Sequence, residues 1–110
     1  MIPSIRFPTG GDVVMNVEID GKQIRTPLEF HEVLAEALDF GPYYRPNLAA
    51  LWDRLSADVE RPVTVVWRNS EESRAAMGSD KFEELRSVLI RTQEQDLSFG
   101  WDERFSVRFA

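Results

Sequence analysis

Pro62-Val63-Thr64-Val65-Val66-Trp67 is the stretch that decides the fold. It is short, β-branched and almost continuously apolar, as expected of a central strand covered on both faces. The period changes on either side of it. Upstream, Leu48, Leu51, Trp52 and Leu55 recur at helical spacing behind Asn47, a good N-cap, and predict a helix of roughly ten residues. Downstream, Ser70–Met77 reads as a short helix ended by Gly78. A longer helix then runs to about Gln95, with Phe82, Leu85, Leu89 and Thr92 as its apolar stripe and Asp80 with Glu83 as a capping box.

Further out, the pattern repeats. Residues 13–19 are rich in β-branched side chains and predict a first strand, closed by the turn signal Asp20-Gly21. Thr26-Pro27-Leu28-Glu29 then reads as a helix start, with Thr26 as cap, Pro27 in the first turn and Glu29 closing a capping box. Phe30, Val33, Leu34, Ala37 and Leu38 continue it on one face until Gly41-Pro42 breaks it. At the far end Phe105, Val107 and Phe109 alternate with Arg104, Ser106 and Arg108, a strand with one solvated face. Residues 97–103 read as a loop or an extra strand.

Strands separated by long helical crossovers pair in parallel. The expectation is an α/β fold, a small three-stranded parallel sheet packed with about four helices. Residues 1–12 hold Pro3, Pro8, Gly10 and Gly11 and read as an N-terminal arm, with Ile5 and Phe7 available to dock; residues 13–110 read as a single domain. Leu34, Leu51, Leu55, Val65 and Phe82 are the predicted core.

Composition narrows the function. The chain has 110 residues, no cysteine, one histidine and a net charge of −6. Without cysteine there are no disulfides and no thiolate metal sites, which agrees with a reducing cytoplasm. There is no apolar run long enough for a membrane span and no secretory pattern at the start. A surface this acidic repels phosphate backbones, so no direct nucleic-acid partner is expected; a basic protein suits it better.

A search for chemistry finds little. His31 lies one step off the apolar stripe of its helix and reads as structural or surface. One histidine without cysteine makes no ordinary zinc site. Glu71-Glu72 and Glu83-Glu84 are sequence neighbours, about 100° apart on a helix, and make no acid/base pair. No cofactor and no enzymatic activity are expected. The unusual stretch is instead Tyr43-Tyr44-Arg45-Pro46-Asn47-Leu48-Ala49-Ala50-Leu51-Trp52-Asp53. Ala49, Ala50 and Asp53 share the side away from the Leu48–Leu51–Leu55 stripe, and Trp52 sits at the boundary. Tyrosine and tryptophan make good interface anchors, and small alanines let a partner approach the helix backbone. The competing reading is a core tryptophan with two loop tyrosines packed on the domain.

At these residues the chain resembles the barstar family of intracellular ribonuclease inhibitors. The similar pieces are residues 19–25 (Ile-Asp-Gly-Lys-Gln-Ile-Arg), Phe30-His31, Leu34, Tyr43-Tyr44, Asn47-Leu48, Ala50-Leu51-Trp52-Asp53, Val59-Glu60, Pro62 and Trp67-Arg68. They run without a gap over residues 19–68. The resemblance implies a monomer when free that plugs a ribonuclease active site with the second helix and the loop before it. By position it implies Tyr43, Tyr44, Asn47, Leu48, Ala50, Trp52 and Asp53 as partner-binding residues, with Asp53 taking the place of a substrate phosphate. Ala49 belongs to the same surface and stands where the family has a second interface aspartate; Asp58 replaces a further aromatic contact. The family's glutamate from the last helix falls nearest Val88, with Glu84 or Glu94 as substitutes. The implied setting is immunity to a basic toxin ribonuclease in the cytoplasm. The rival is a non-catalytic regulatory or scaffold protein that binds a basic partner other than a nuclease.

Overall fold

A computed structural model describes residues 15–110. The expected N-terminal arm, its docking residues Ile5 and Phe7, and the first two residues of the expected first strand lie outside that range. The order of elements is β1 (Met15–Asp20), a 3-10 turn (Gly21–Gln23), α1 (Pro27–Ala37), α2 (Leu48–Asp53), a π-helical turn (Arg54–Asp58), β2 (Val63–Arg68), α3 (Ser70–Met77), α4 (Ser79–Ser98) and β3 (Phe105–Phe109). The strands are parallel in the order β1-β2-β3, with Met15 opposite Val63 and Val63 opposite Phe105. The α/β expectation holds in class, strand number and strand direction. Among the described residues no helix is long and apolar enough to cross a membrane.

The register explains the core. Paired residues of a parallel sheet point to the same side, so Val17, Ile19, Val63, Val65, Trp67, Phe105 and Val107 share one face, and all are buried. The fully buried Trp67 ring is the hub of that face. It stacks on Phe30 of α1 at 4.8 Å and lies 5.1 Å from Phe82 of α4. Its indole N–H donates to Ser73 Oγ, and Ser73 donates in turn to the Gly21 carbonyl, both at 3.1 Å. That chain of bonds draws α3 onto the turn after β1. It also requires glycine at position 21, where a Cβ would lie 2.0 Å from the Asn69 carbonyl oxygen. The expectation that β2 is covered on both faces is corrected. The opposite face of the strand carries half-buried Thr64, buried Val66 and exposed Arg68, and the register sets Glu18 and Arg108 on either side of Val66.

Side-chain caps start α1 and α2, while α3 and α4 begin without one. Thr26 Oγ1 accepts from the Glu29 amide at 3.1 Å, while the Glu29 carboxylate reaches one residue past the cap to accept from the Arg25 amide at 2.7 Å. The expected Asp80–Glu83 box is absent. Gly78, at φ 98°, ends α3 and lets α4 begin at once from Ser79, with no side-chain cap, so Asp80 falls inside the first turn. Residues 96–98 extend α4 beyond Gln95, and residues 99–104 form a loop with no extra strand. Ala37, expected on the apolar stripe of α1, is exposed.

A polar residue completes the α4 stripe. Asp96 is fully buried and holds three pieces of chain together. Arg61, just before β2, donates Nε to Oδ2 at 2.8 Å and NH2 to Oδ1 at 3.1 Å; the amide of Phe105, the first residue of β3, donates to Oδ2 at 2.8 Å. Burial pushes this carboxyl up, but the Arg61 hydrogen bond, the Phe105 amide and the Arg61 charge outweigh it and hold it below the ordinary 3.8.

This packing sets two expected losses of stability. Leu51, which has no solvent exposure, should cost ~2–5 kcal/mol when truncated to alanine, read by denaturant unfolding. A loss under ~1 kcal/mol would place the wrong face of α2 in the core. Asp96→Ala should cost roughly 3–5 kcal/mol at pH 7, because it leaves Arg61 without its buried partner. The folded carboxyl releases its proton more readily than the unfolded one. Its contribution is therefore complete above the unfolded value of 3.8 and is lost as pH falls through the lower folded value. Unfolding curves of the two proteins should accordingly converge below pH 3.8; a constant gap down to pH 2 would contradict the charged state.

Candidate functional site

α2 is only six residues long and depends on its ends. Asn47, in extended backbone, accepts from the Ala50 amide through Oδ1 at 2.8 Å and so starts the helix. After Asp53 the helix widens into a π-turn, in which the Val59 amide donates to the Arg54 carbonyl at 3.1 Å. Such wide turns are uncommon and cluster at functional sites. Leu51 and Leu55 point into the core, while Ala49 and Asp53 are exposed and Ala50 is half-buried. The alanines and the aspartate thus share an outward side, as the helical spacing requires. Leu48, expected on the buried stripe with Leu51 and Leu55, is 36% exposed. It opens the helix, and its side chain adds to the outward surface.

The two tyrosines of the preceding loop are placed differently. Tyr43 is 86% exposed and is the barest large hydrophobic side chain among the described residues. Tyr44 is half-buried, its ring 4.8 Å from Phe40. A 2.6 Å hydrogen bond joins its hydroxyl to Nδ1 of His31, a residue only 4% exposed. Either group serves as donor, according to the tautomer of the neutral ring. Burial pushes the tyrosine up to about 12, against the opposing pull of the nearby Arg54 charge, and holds the histidine below its usual range. Both groups are therefore neutral near pH 7. The expectation of a structural His31 fits this geometry: the ring ties α1 to the loop. A hollow of about 230 Å³ opens beside them, lined by Leu28, His31, Glu32, Ala35, Gly41, Tyr44 and Pro46.

Two arginines brace this region, and neither was legible from spacing. Arg54 donates NH1 to the Phe40 carbonyl, and its guanidinium lies 5.9 Å from the centres of both the Phe40 and Tyr44 rings. Arg91 comes from α4 and sits over the ring of half-buried Trp52, 4.2 Å from its centre. Trp52 thus stands at the boundary, as expected, with one face already taken. Among the described residues no hydrogen bond or ion pair engages the Asp53 carboxylate, while Arg54 next to it pairs with Asp58 at 3.7 Å. The structure gathers Asn47, Leu48, Ala49, Ala50, Trp52 and Asp53 on one short helix and its cap, with Tyr43 bare in the loop before it. Tyr44 is turned toward His31. No cluster of three histidine or carboxylate groups that could hold a metal ion occurs among the described residues.

This arrangement offers a surface: an exposed ring, small side chains and one unengaged carboxylate on a braced helix. Comparison with known proteins gives it a context. A protein of Bacillus subtilis (strain 168) named "Putative ribonuclease inhibitor YrdF" is 38% identical to this chain over 77 residues, which cover 70% of the chain and 84% of that protein. The family model described as Barstar (barnase inhibitor) matches residues 14–109, a span that takes in every described strand and helix. The chain belongs to the barstar family.

Proposed function

We propose that this protein inhibits a ribonuclease by covering its active site with α2 and the loop before it, acting in the cytoplasm as the immunity partner of a toxin nuclease and catalysing nothing itself. The observation that carries the reading is the exposed, unengaged Asp53 on the outward side of a helix that belongs to a barstar-family chain. A ribonuclease must bind phosphate, so its cleft is lined with cations. A carboxylate pressed into that cleft replaces the phosphate; it loses its water, and arginines or lysines compensate. Tyr43, Asn47, Leu48, Ala49, Ala50 and Trp52 would surround it and keep water out. Tyr44 would act from behind, by fixing the loop through His31.

Ala49 removes one acidic contact that the family offers, and an acid from α4 would restore it. Glu84 suits that place better than Glu94. It precedes Arg91 by seven positions, two helical turns, and so lies within about 20° of the side that reaches Trp52. Glu94 is turned about 60° further round, away from the core and from α2.

The test begins with capture. Immobilised protein should retain a ribonuclease from a lysate of the source organism, and RNA cleavage by the captured enzyme should be blocked at equimolar inhibitor. If only proteins without nuclease activity are retained, a scaffold or regulatory role replaces this reading. Asp53→Ala should then weaken the complex by at least ~2 kcal/mol in calorimetry, a size carried over from hot spots of the barnase–barstar complex itself. Its thermal stability should change by no more than about 0.5 kcal/mol. Unchanged affinity with a lowered melting temperature would make Asp53 a structural residue and move the binding surface elsewhere.

A further inference from the structure

The charge of the proposed surface departs from the charge of the chain. The molecule carries −6 overall, yet the surface around α2 displays two exposed arginines, Arg45 in the loop and Arg91 on Trp52, beside the carboxylate of Asp53. Among the described residues neither arginine has a carboxylate within 4 Å, although five other arginines do. The Arg91 guanidinium lies 4.2 Å from the centre of the Trp52 ring, and leaving would expose that face of the indole. Arg45 is exposed in the loop between exposed Tyr43 and the Asn47 cap, the stretch that a partner on Tyr43 and α2 would meet.

We infer that Arg45 and Arg91 are specificity residues, and that the cognate ribonuclease presents carboxylates among the cations of its active-site rim. This rests on the proposed ribonuclease-binding surface. A uniformly basic cleft would meet Asp53 well but would bury both arginines against like charge. Such juxtaposition is the usual way an interface rejects wrong partners. A rim that alternates acid with base satisfies Asp53 and both arginines at once.

The probe is barnase, taken as a ribonuclease with a basic cleft. Binding and inhibition are measured for the unaltered protein, for the double variant Arg45→Glu/Arg91→Glu, and for the control double variant Arg68→Glu/Arg108→Glu. The control makes the same change of net charge on the sheet face away from the core cluster. The first double variant should bind barnase at least about tenfold more tightly than the unaltered protein, and the control no more than about threefold more tightly. Equal gains in both would reduce the effect to net charge and overturn the inference. So would no gain, or a loss, in the first variant. Because Arg91 also packs on Trp52, thermal melts accompany the titrations; if the double variant melts early, Arg45→Glu alone carries the test, with the same sign required. Failure here leaves the inhibitor reading standing, since that reading falls only if the capture experiment retains no ribonuclease.

Discussion

A charged carboxylate buried at the end of a helix is an expensive thing to build, and the sheet depends on it. Asp96 is reached at once by Arg61 from the chain entering β2 and by the amide that opens β3. Without those donors its burial would favour the neutral form and leave the Phe105 amide without this acceptor. With them, the last turn of α4 sets where two adjacent parallel strands begin, with Val63 opposite Phe105. Parallel strands have no hairpin to fix their register, so something beyond the turn must do so. The alternation of Phe105, Val107 and Phe109 is then set, and with it the face on which Trp67 is packed.

The same logic shows what could be read from sequence. Stripes with a regular period were legible because burial alone produces them: Leu34, Leu51, Leu55, Val65 and Phe82 are all in the core. Leu48 broke the pattern because α2 is short and its first residue lies past the reach of the packed stripe. The Asp80–Glu83 box failed because a glycine with positive φ made the helix start earlier than any cap signal. Asp96 stands in the same stripe, four residues after Thr92, but a polar side chain on an apolar face announces a buried partner without naming it. Arg61 is 35 residues away, and no local pattern links the two.

The candidate site was legible in part, through a different kind of signal. Tyrosines, small residues and a lone aspartate around Trp52 marked an outward surface, and the resemblance to a family gave that surface a use. What spacing could not give was the division of labour between adjacent tyrosines. Tyr43 and Tyr44 are chemically identical neighbours; one is bare and the other is bonded to a buried histidine 13 positions earlier. Likewise, no spacing signal sets Arg54 and Arg91 against aromatic rings; only three-dimensional contact does. Long-range partners of polar groups are fixed by topology, which a linear pattern does not contain.

A short helix on its own would be a poor inhibitor surface. Six residues lie well below the length at which a helix is stable in water, and each side chain immobilised on binding subtracts from affinity. Here the cost of ordering has been met during folding. Asn47 caps the start, the π-turn closes the end, Arg54 grips the Phe40 carbonyl, His31 fixes Tyr44, and Arg91 holds Trp52. The bonds of Arg54 and His31 and the closing π-turn lie behind or beside the proposed surface, so none of them must break for a partner to dock. The side chains left free, Tyr43, Leu48, Ala49 and Asp53, carry few rotatable bonds or lie on the helix itself. Rigidity from behind and bareness in front are separate properties, and they are set by different residues. That separation would let the exposed positions change in charge while the braced backbone stayed the same.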